Sequence, residues 1–172
     1  MKLSIDDLVF LKSELNNNRI MNEEDLVYIK ASHPQLYFAT HLKKDEGVSL
    51  FPNNSWVYTL ENKNLNEFIC NKFEEPIDNL YIIHRLIYGE NGYAKKHKDR
   101  FTTHKTVSIL LSSDFTGGEM YINDKNVSLK NEGDYVVFNG GKESHEVKKI
   151  TSGERDVLII WFSKKKAKFS II

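Results

Sequence analysis

Cysteine, proline and charge imbalance are what this 172-residue sequence has least of. Its one cysteine, Cys70, can form no internal disulfide, so nothing in the composition points to an oxidising compartment. No apolar run approaches the ~18 residues that a membrane span requires. The start, "MKLSIDDLVFLKSEL", places acids where a signal peptide needs its apolar centre, so a cytoplasmic protein is expected. Only three prolines occur, and there is no low-complexity block or internal repeat. That leaves no linker to divide the chain, and a single domain over residues 1–172 is expected. Lys and Arg number 24, as do Asp and Glu, for a formal charge of zero. The missing basic excess counts against a dedicated nucleic-acid binder, although a local basic patch stays open.

What is present is ordinary for a soluble globular chain: 40% hydrophobic and 28% charged residues. The first half reads as helical. In "SIDDLVFLKSELNN", Ser4 or Asp6 can cap, and Leu8, Phe10, Leu11 and Leu15 fall on one stripe. "NEEDLVYIKAS" offers a second helix, with acids in the first turn where the helix dipole favours them. The stretch from Thr40 to Trp56 shows no clear period. "TLENKNLNEFICNKFEE" is helical again through Leu60, Leu65, Phe68, Ile69 and Phe73, and stops near Pro76.

Beyond Pro76 the character changes. "NLYIIHRLIYG", "TVSILLSS", "GEMYIND", "GDYVVFNG" and "RDVLIIWF" are short runs rich in Val, Ile, Tyr and Phe, separated by Gly, Asn and Asp signals. This spacing suggests a sandwich or barrel. "VSILL" and "VLIIWF" are apolar on both alternating sets, so both faces of those strands should be covered. The expected fold class is α+β, with a mainly helical support region over residues 1–75 packed outside a β core over residues 76–163. The tail "SKKKAKFSII" is basic and then apolar, and its end offers a surface for an interface, with a monomer as the default.

The chemistry begins in "KKHKDRF", where His97 and Asp99 stand at i and i+2. At a strand end both would project from one face, supplying two ligands of a 2-His-1-carboxylate facial triad, which leaves open positions on Fe(II). Alone, the pair reads better as a solvated charged turn. Downstream, His145 follows a tight Gly-containing turn and opens a strand-like segment, and ten residues later Arg155 begins "RDVLIIWF". A guanidinium at the start of a mostly buried strand is costly to desolvate unless an anion meets it. Its planar fork suits a carboxylate.

The ordered set His-x-Asp, then His, then Arg ten residues on resembles the Fe(II)/2-oxoglutarate-dependent dioxygenases, specifically the prolyl 4-hydroxylase-like branch. "YGENGYAKKHKD" resembles that branch's Tyr-Gly-x-x-Gly segment leading into His-x-Asp, and "VSILLSSDFTGGEMYI" resembles its strand, acidic turn, Gly-Gly pair and following strand. "EGDYVVFN" and "ITSGERDVLIIWF" resemble the strand before the distal histidine and the closing turn and strand. The resemblance covers about residues 80–163. It implies a double-stranded β-helix (jelly-roll) core. His97, Asp99 and His145 would be the iron ligands, and Arg155 would pair with the distal carboxylate of 2-oxoglutarate. Tyr88 matches a family tyrosine that hydrogen-bonds the same carboxylate, with a structural core role as the alternative. Fe(II), 2-oxoglutarate and dioxygen are the implied cofactors and co-substrates, with ascorbate as a candidate auxiliary. The implied activity is hydroxylation of a peptidyl prolyl or lysyl side chain, with succinate and carbon dioxide as co-products; the carboxylate at Asp99 favours hydroxylation over halogenation.

Alternatives remain at this level. A nucleic-acid or small-molecule oxygenase of the same superfamily is one, disfavoured for nucleic acid by zero net charge and by Arg155 being the lone arginine after His145. A non-catalytic jelly-roll binding module is another. His104, in the polar "RFTTHK", reads as a loop residue and not a ligand, and His84 as a packed strand residue; His33 and His41 have no partner at useful spacing. Cys70 reads as a buried small apolar residue. Lys95, Lys96, Lys98, Arg100 and Lys105 form either a solvated rim around the metal pair or a surface that attracts an acidic peptide or a phosphate backbone. Trp56, Tyr58 and Phe51 either pack helix on sheet or form a lid.

Overall fold

The computed structural model describes residues 1–15, 18–19, 43–44, 47–49, 54–60, 62–127 and 129–164. Helix α1 spans Ile5–Glu14. Ser4 caps it, its side chain accepting from the Asp7 N–H at 3.1 Å, with Asp6 and Asp7 in the first turn. Leu11 is fully buried, while Ile5 and Val9 remain exposed on the opposite face. Helix α2 spans Lys63–Lys72 and is capped by Asn62, which accepts from the Leu65 N–H at 3.2 Å. Leu65 and Ile69, one turn apart, are fully buried, and each such side chain contributes roughly 1.5–3 kcal/mol. The helices meet through Phe10 and Phe68, whose rings are 4.8 Å apart, and through Lys72 and Asp7 at 2.6 Å. Cys70 is buried on α2, as expected. The second helix expected, over residues 22–32, lies outside the described residues.

The first half is less helical than its periodicity suggests. It carries β1 (Asn18–Arg19), β2 (Lys43–Lys44), β3 (Gly47–Ser49) and β4 (Ser55–Leu60). Leu60, assigned from sequence to a helix, ends β4, because "SWVYTL" is β-branched and aromatic. From Leu80 onward come β5 (Leu80–Tyr88), β6 (Ala94–His97), β7 (Thr103–Leu110), β8 (Phe115–Gly117), β9 (Met120–Ile122), β10 (Lys125–Asn126), β11 (Tyr135–Phe138), β12 (His145–Val147), β13 (Ile150–Gly153) and β14 (Arg155–Ser163). All five apolar runs read after Pro76 thus become strands. The Asn123–Asp124 turn joins β9 to β10 with φ of 48° and 64°, as a tight hairpin requires.

The larger sheet runs β11-β7-β14-β5-β4-β3-β2, with β1 beside β4. The smaller runs β10-β9-β12-β6, and β13 pairs with β8. All pairings are antiparallel, and the expected jelly-roll core is present. The central strands β7 and β14 are apolar on both sides because each side meets a different layer. Val107, Ile109, Leu158, Ile160 and Phe162 share one cluster with Leu11, Leu65 and Ile69 of the helices. Leu110 and Val157 belong to a second cluster with Met120, Ile122 and Val147 of the smaller sheet.

One polar anchor ties the end of α2 to β7. Glu75 accepts from Lys105 at 2.8 Å, His104 at 2.9 Å and Asn79 at 2.8 Å. Burial raises the Glu75 pKa, but these three donors outweigh it and hold the carboxyl at about 2. His104 therefore lies in a strand and not a loop. Its polar neighbourhood in sequence reflects a buried carboxylate supplied from elsewhere in the chain.

Candidate active site

His97 closes β6 and His145 opens β12, and the antiparallel register sets these two residues opposite each other. Their rings are 4.3 Å apart, centre to centre. Asp99 is brought in by the turn that precedes His145: its N–H donates to the Gly140 carbonyl at 2.8 Å. One ligand atom from each of His97, Asp99 and His145 lies within 4.8 Å of the others. The Asp99 side chain is only 2% exposed, which excludes the solvated charged turn as a reading of "KKHKDRF".

Hydrogen bonds aim these side chains. The Nδ1–H of His97 donates to the Lys95 carbonyl at 2.6 Å, and that of His145 to the Glu143 carbonyl at 3.1 Å. A carbonyl only accepts, so the proton sits on Nδ1 and the Nε2 lone pair is left for the site. Nε2 of His145 lies 3.5 Å from Asp99 Oδ1. Thr106 Oγ1 donates to the other carboxylate oxygen, Oδ2, at 2.7 Å. Burial, assisted by His145, lowers the His97 pKa and favours the neutral imidazole. Two imidazoles and one carboxylate form a donor set for a divalent first-row metal, with the remaining coordination positions open.

Arg155 begins β14 opposite Tyr88 on β5. It is 1% exposed, and its Nη2 has no hydrogen-bond partner among the described residues. Its guanidinium carbon lies 5.7 Å from the centre of the Tyr88 ring. Burial lowers the Arg155 pKa and pushes Tyr88 up to about 12, so the phenol stays protonated. A buried cation with donors to spare is costly without an anion. The metal-type triad and Arg155 line one cavity. A dicarboxylate offers one anionic group to each of these two ends.

Between those ends the register sets side chains in rows. Ile159 of β14 lies between His84 on β5 and Ser108 on β7, and Trp161 lies beside Thr106. All five line the cavity. His84 is the packed strand residue expected, 2% exposed and edge-on to Trp161 at 5.2 Å, and it also faces the cavity. Thr106, Ser108, Phe138 and Trp161 were not singled out from sequence, and Gly140 was read only as part of a turn. The available signal was Thr106 and Ser108, two polar residues at i and i+2 in the otherwise apolar run over residues 106–111. Trp56 is absent from the cavity lining, where its neighbour Val57 takes part. Phe51, His33, His41 and the side chain of Tyr58 lie outside the described residues. Lys105 is drawn away from the rim to Glu75, Lys96 meets Asp124 at 2.6 Å, and Arg100 donates to the Tyr81 hydroxyl at 2.6 Å.

Residues 83–163 match the sequence model of the 2OG-Fe(II) oxygenase superfamily. No curated protein matches the sequence. Among solved structures, a Pseudomonas putida prolyl-4-hydroxylase superposes with a TM-score of 0.55 at 16% identity, covering 95% of this chain and 89% of that one. The viral collagen prolyl hydroxylase of Paramecium bursaria Chlorella virus-1, in its 2-oxoglutarate complex, gives 0.54 at 14% identity, covering 87% and 94%. A Burkholderia pseudomallei oxidoreductase of the 2OG-Fe(II) oxygenase family gives 0.53 at 12%, covering 96% and 94%. At these identities the likeness is one of fold. The matched segment holds the triad, Arg155 and Tyr88 together, and over that segment the chain is similar to the 2OG-Fe(II) oxygenase superfamily.

Proposed function

We propose that this protein is an Fe(II)- and 2-oxoglutarate-dependent dioxygenase that hydroxylates a peptidyl prolyl side chain, with a lysyl side chain as the second choice. The observation that carries the chemistry is the shared cavity, with a His-Asp-His triad and a buried arginine lacking a counter-anion among the described residues. His97, Asp99 and His145 would hold the iron. Arg155 would take the distal carboxylate of 2-oxoglutarate, with Tyr88 against the guanidinium. When bound, the metal and the oxo acid supply the oxidising power that places an oxygen atom from dioxygen into a C–H bond, with succinate and carbon dioxide released.

The chain's own residues bind, orient and exclude water. Thr106 holds one Asp99 oxygen, leaving Oδ1 on the side of His145. The backbone carbonyls at Lys95 and Glu143 fix the imidazole tautomers. Phe138 packs on His145 at 4.8 Å, and Met120, Ile159 and Trp161 line the remaining wall, so the reacting end is largely apolar. The peptidyl substrate is supported by the branch resemblance and by the fold shared with two prolyl hydroxylases.

The test is anaerobic absorption spectroscopy with Fe(II) and 2-oxoglutarate. A metal-to-ligand charge-transfer band is expected, lost in His97→Ala and weakened in Arg155→Ala. Mass spectrometry of proline- and lysine-containing peptides incubated with the protein, with and without ascorbate, should then show addition of one oxygen to proline. No band in folded protein would refute the chemistry; a band with oxygen added only to other substrates would refute the substrate.

A further inference from the structure

Three segments far apart in sequence meet beside Asp99. Residues 98–102 continue from the ligand pair. Residues 140–142 pack against them: the Gly141 N–H donates to the Thr103 carbonyl at 3.2 Å, and a side chain at Gly141 would collide with the carbonyls of Arg100 and Thr103. The end of β14 arrives alongside, with Ser163 Oγ donating to the Thr102 carbonyl at 3.1 Å.

The side chains these segments leave exposed are Lys98, Phe101, Lys142 and Lys164. Phe101 is 90% exposed, more than any other large apolar side chain among the described residues. The single acid in the three segments, Asp99, is turned inward. Elsewhere lysines meet acids, as Lys12 meets Glu132, Lys72 meets Asp7 and Lys148 meets Glu146. Among the described residues no ion pair holds Lys98, Lys142 or Lys164, so the surface beside Asp99, which itself lines the cavity, carries uncompensated positive charge and one bare ring.

We propose that this rim docks an acidic segment of the polypeptide substrate, with Phe101 receiving an apolar side chain of the same segment. The proposal rests on the peptide-hydroxylase reading and names its substrate class: a target residue flanked by Asp or Glu. Lys98 adjoins two triad members in the chain, so a peptide seated over the site needs only a few extended residues, at about 3.3 Å each, to reach it. Charge complementarity selects an acidic partner over a basic one. A peptide suits the rim better than a single-stranded nucleic acid, which is held by successive stacking rings where this rim offers one.

The experiment titrates fluorescent proline peptides, matched in length and carrying acidic, neutral or basic flanks, into protein loaded with Mn(II) and 2-oxoglutarate. Acidic flanks are expected to bind roughly tenfold more tightly than basic ones at low salt, with the gap closing as salt rises. The double variant Lys142→Glu/Lys164→Glu should invert that preference while retaining the Fe(II)–2-oxoglutarate charge-transfer band, and Phe101→Ala should weaken all peptides with apolar flanks. A present band with no preference between acidic and basic flanks overturns the rim proposal alone. Displacement of the acidic peptide by oligouridylate at lower concentration than by unlabelled peptide also overturns it. A missing band in the wild type brings down the hydroxylase reading, which the flank titration cannot do by itself.

Discussion

Gly140 leaves the space that Asp99 fills. The Asp99 N–H donates to the Gly140 carbonyl at 2.8 Å, and a methyl group built on Gly140 would overlap Asp99 Oδ2 and Thr106 Oγ1. The turn that positions His145 therefore also seats the carboxylate. Gly140→Ala should displace Asp99, weakening Mn(II) binding by about 10–100-fold and lowering stability by roughly 1–3 kcal/mol. Calorimetric titration with Mn(II) and a denaturant melt check the two effects.

Thr106→Val keeps the shape of that wall and removes a hydroxyl that donates to Asp99 Oδ2. Metal affinity should fall by at least about tenfold while the fold persists. Thr106→Ser should restore most of the affinity, which a purely steric role for the side chain would not predict. The same Mn(II) titration distinguishes the two variants.

Arg155→Met should separate stability from binding. The wild-type guanidinium is buried with an Nη2 that lacks a partner among the described residues, so an apolar side chain of similar length removes a desolvation cost. The thermal midpoint without ligand should hold or rise. In wild type, 2-oxoglutarate at a hundred times its Kd should add about 2.7 kcal/mol of stability, and in the variant this gain should vanish. Thermal melts with and without 2-oxoglutarate measure both.

Acid should loosen the junction of α2 with β7. Glu75 has an ordinary carboxyl pKa of 4.5 when exposed and about 2 in the fold. A carboxyl whose folded pKa is depressed contributes stability that is complete above its unfolded pKa and is lost as pH falls through the folded value. Wild type should therefore lose on the order of 2 kcal/mol from this group between about pH 4.5 and pH 2. Glu75→Gln should be less stable than wild type at pH 7, with the difference shrinking across that window. Urea melts at stepped pH give the comparison.

Much of this architecture could be read along the chain because the relevant physics is local. The runs around Ile83, Val107, Val136 and Val157 are β-branched and aromatic, and they become β5, β7, β11 and β14. Ser4 and the acids after it announced α1. The stretch from Thr40 to Trp56 gave no period, and its described strands β2 and β3 are two and three residues long, too short to show one. Leu60 and His104 were misplaced because what decides each is a neighbour distant in sequence: β5 beside β4 in one case, Glu75 in the other.

The sequence by itself determined which chemical groups exist and in what order: His97, Asp99, His145 and Arg155, spaced as a metal-and-oxo-acid site would space them. Only the tertiary structure decided that they share a cavity. Pairing of β6 with β12 sets the histidines face to face, the Gly140 turn seats the carboxylate, and β14 lies between β5 and β7 so that His84 and Ser108 flank the path from the triad to Arg155. Those contacts join residues tens of positions apart. Strand register, which fixes them, is set by how two apolar layers close on each other and not by any stretch of sequence alone.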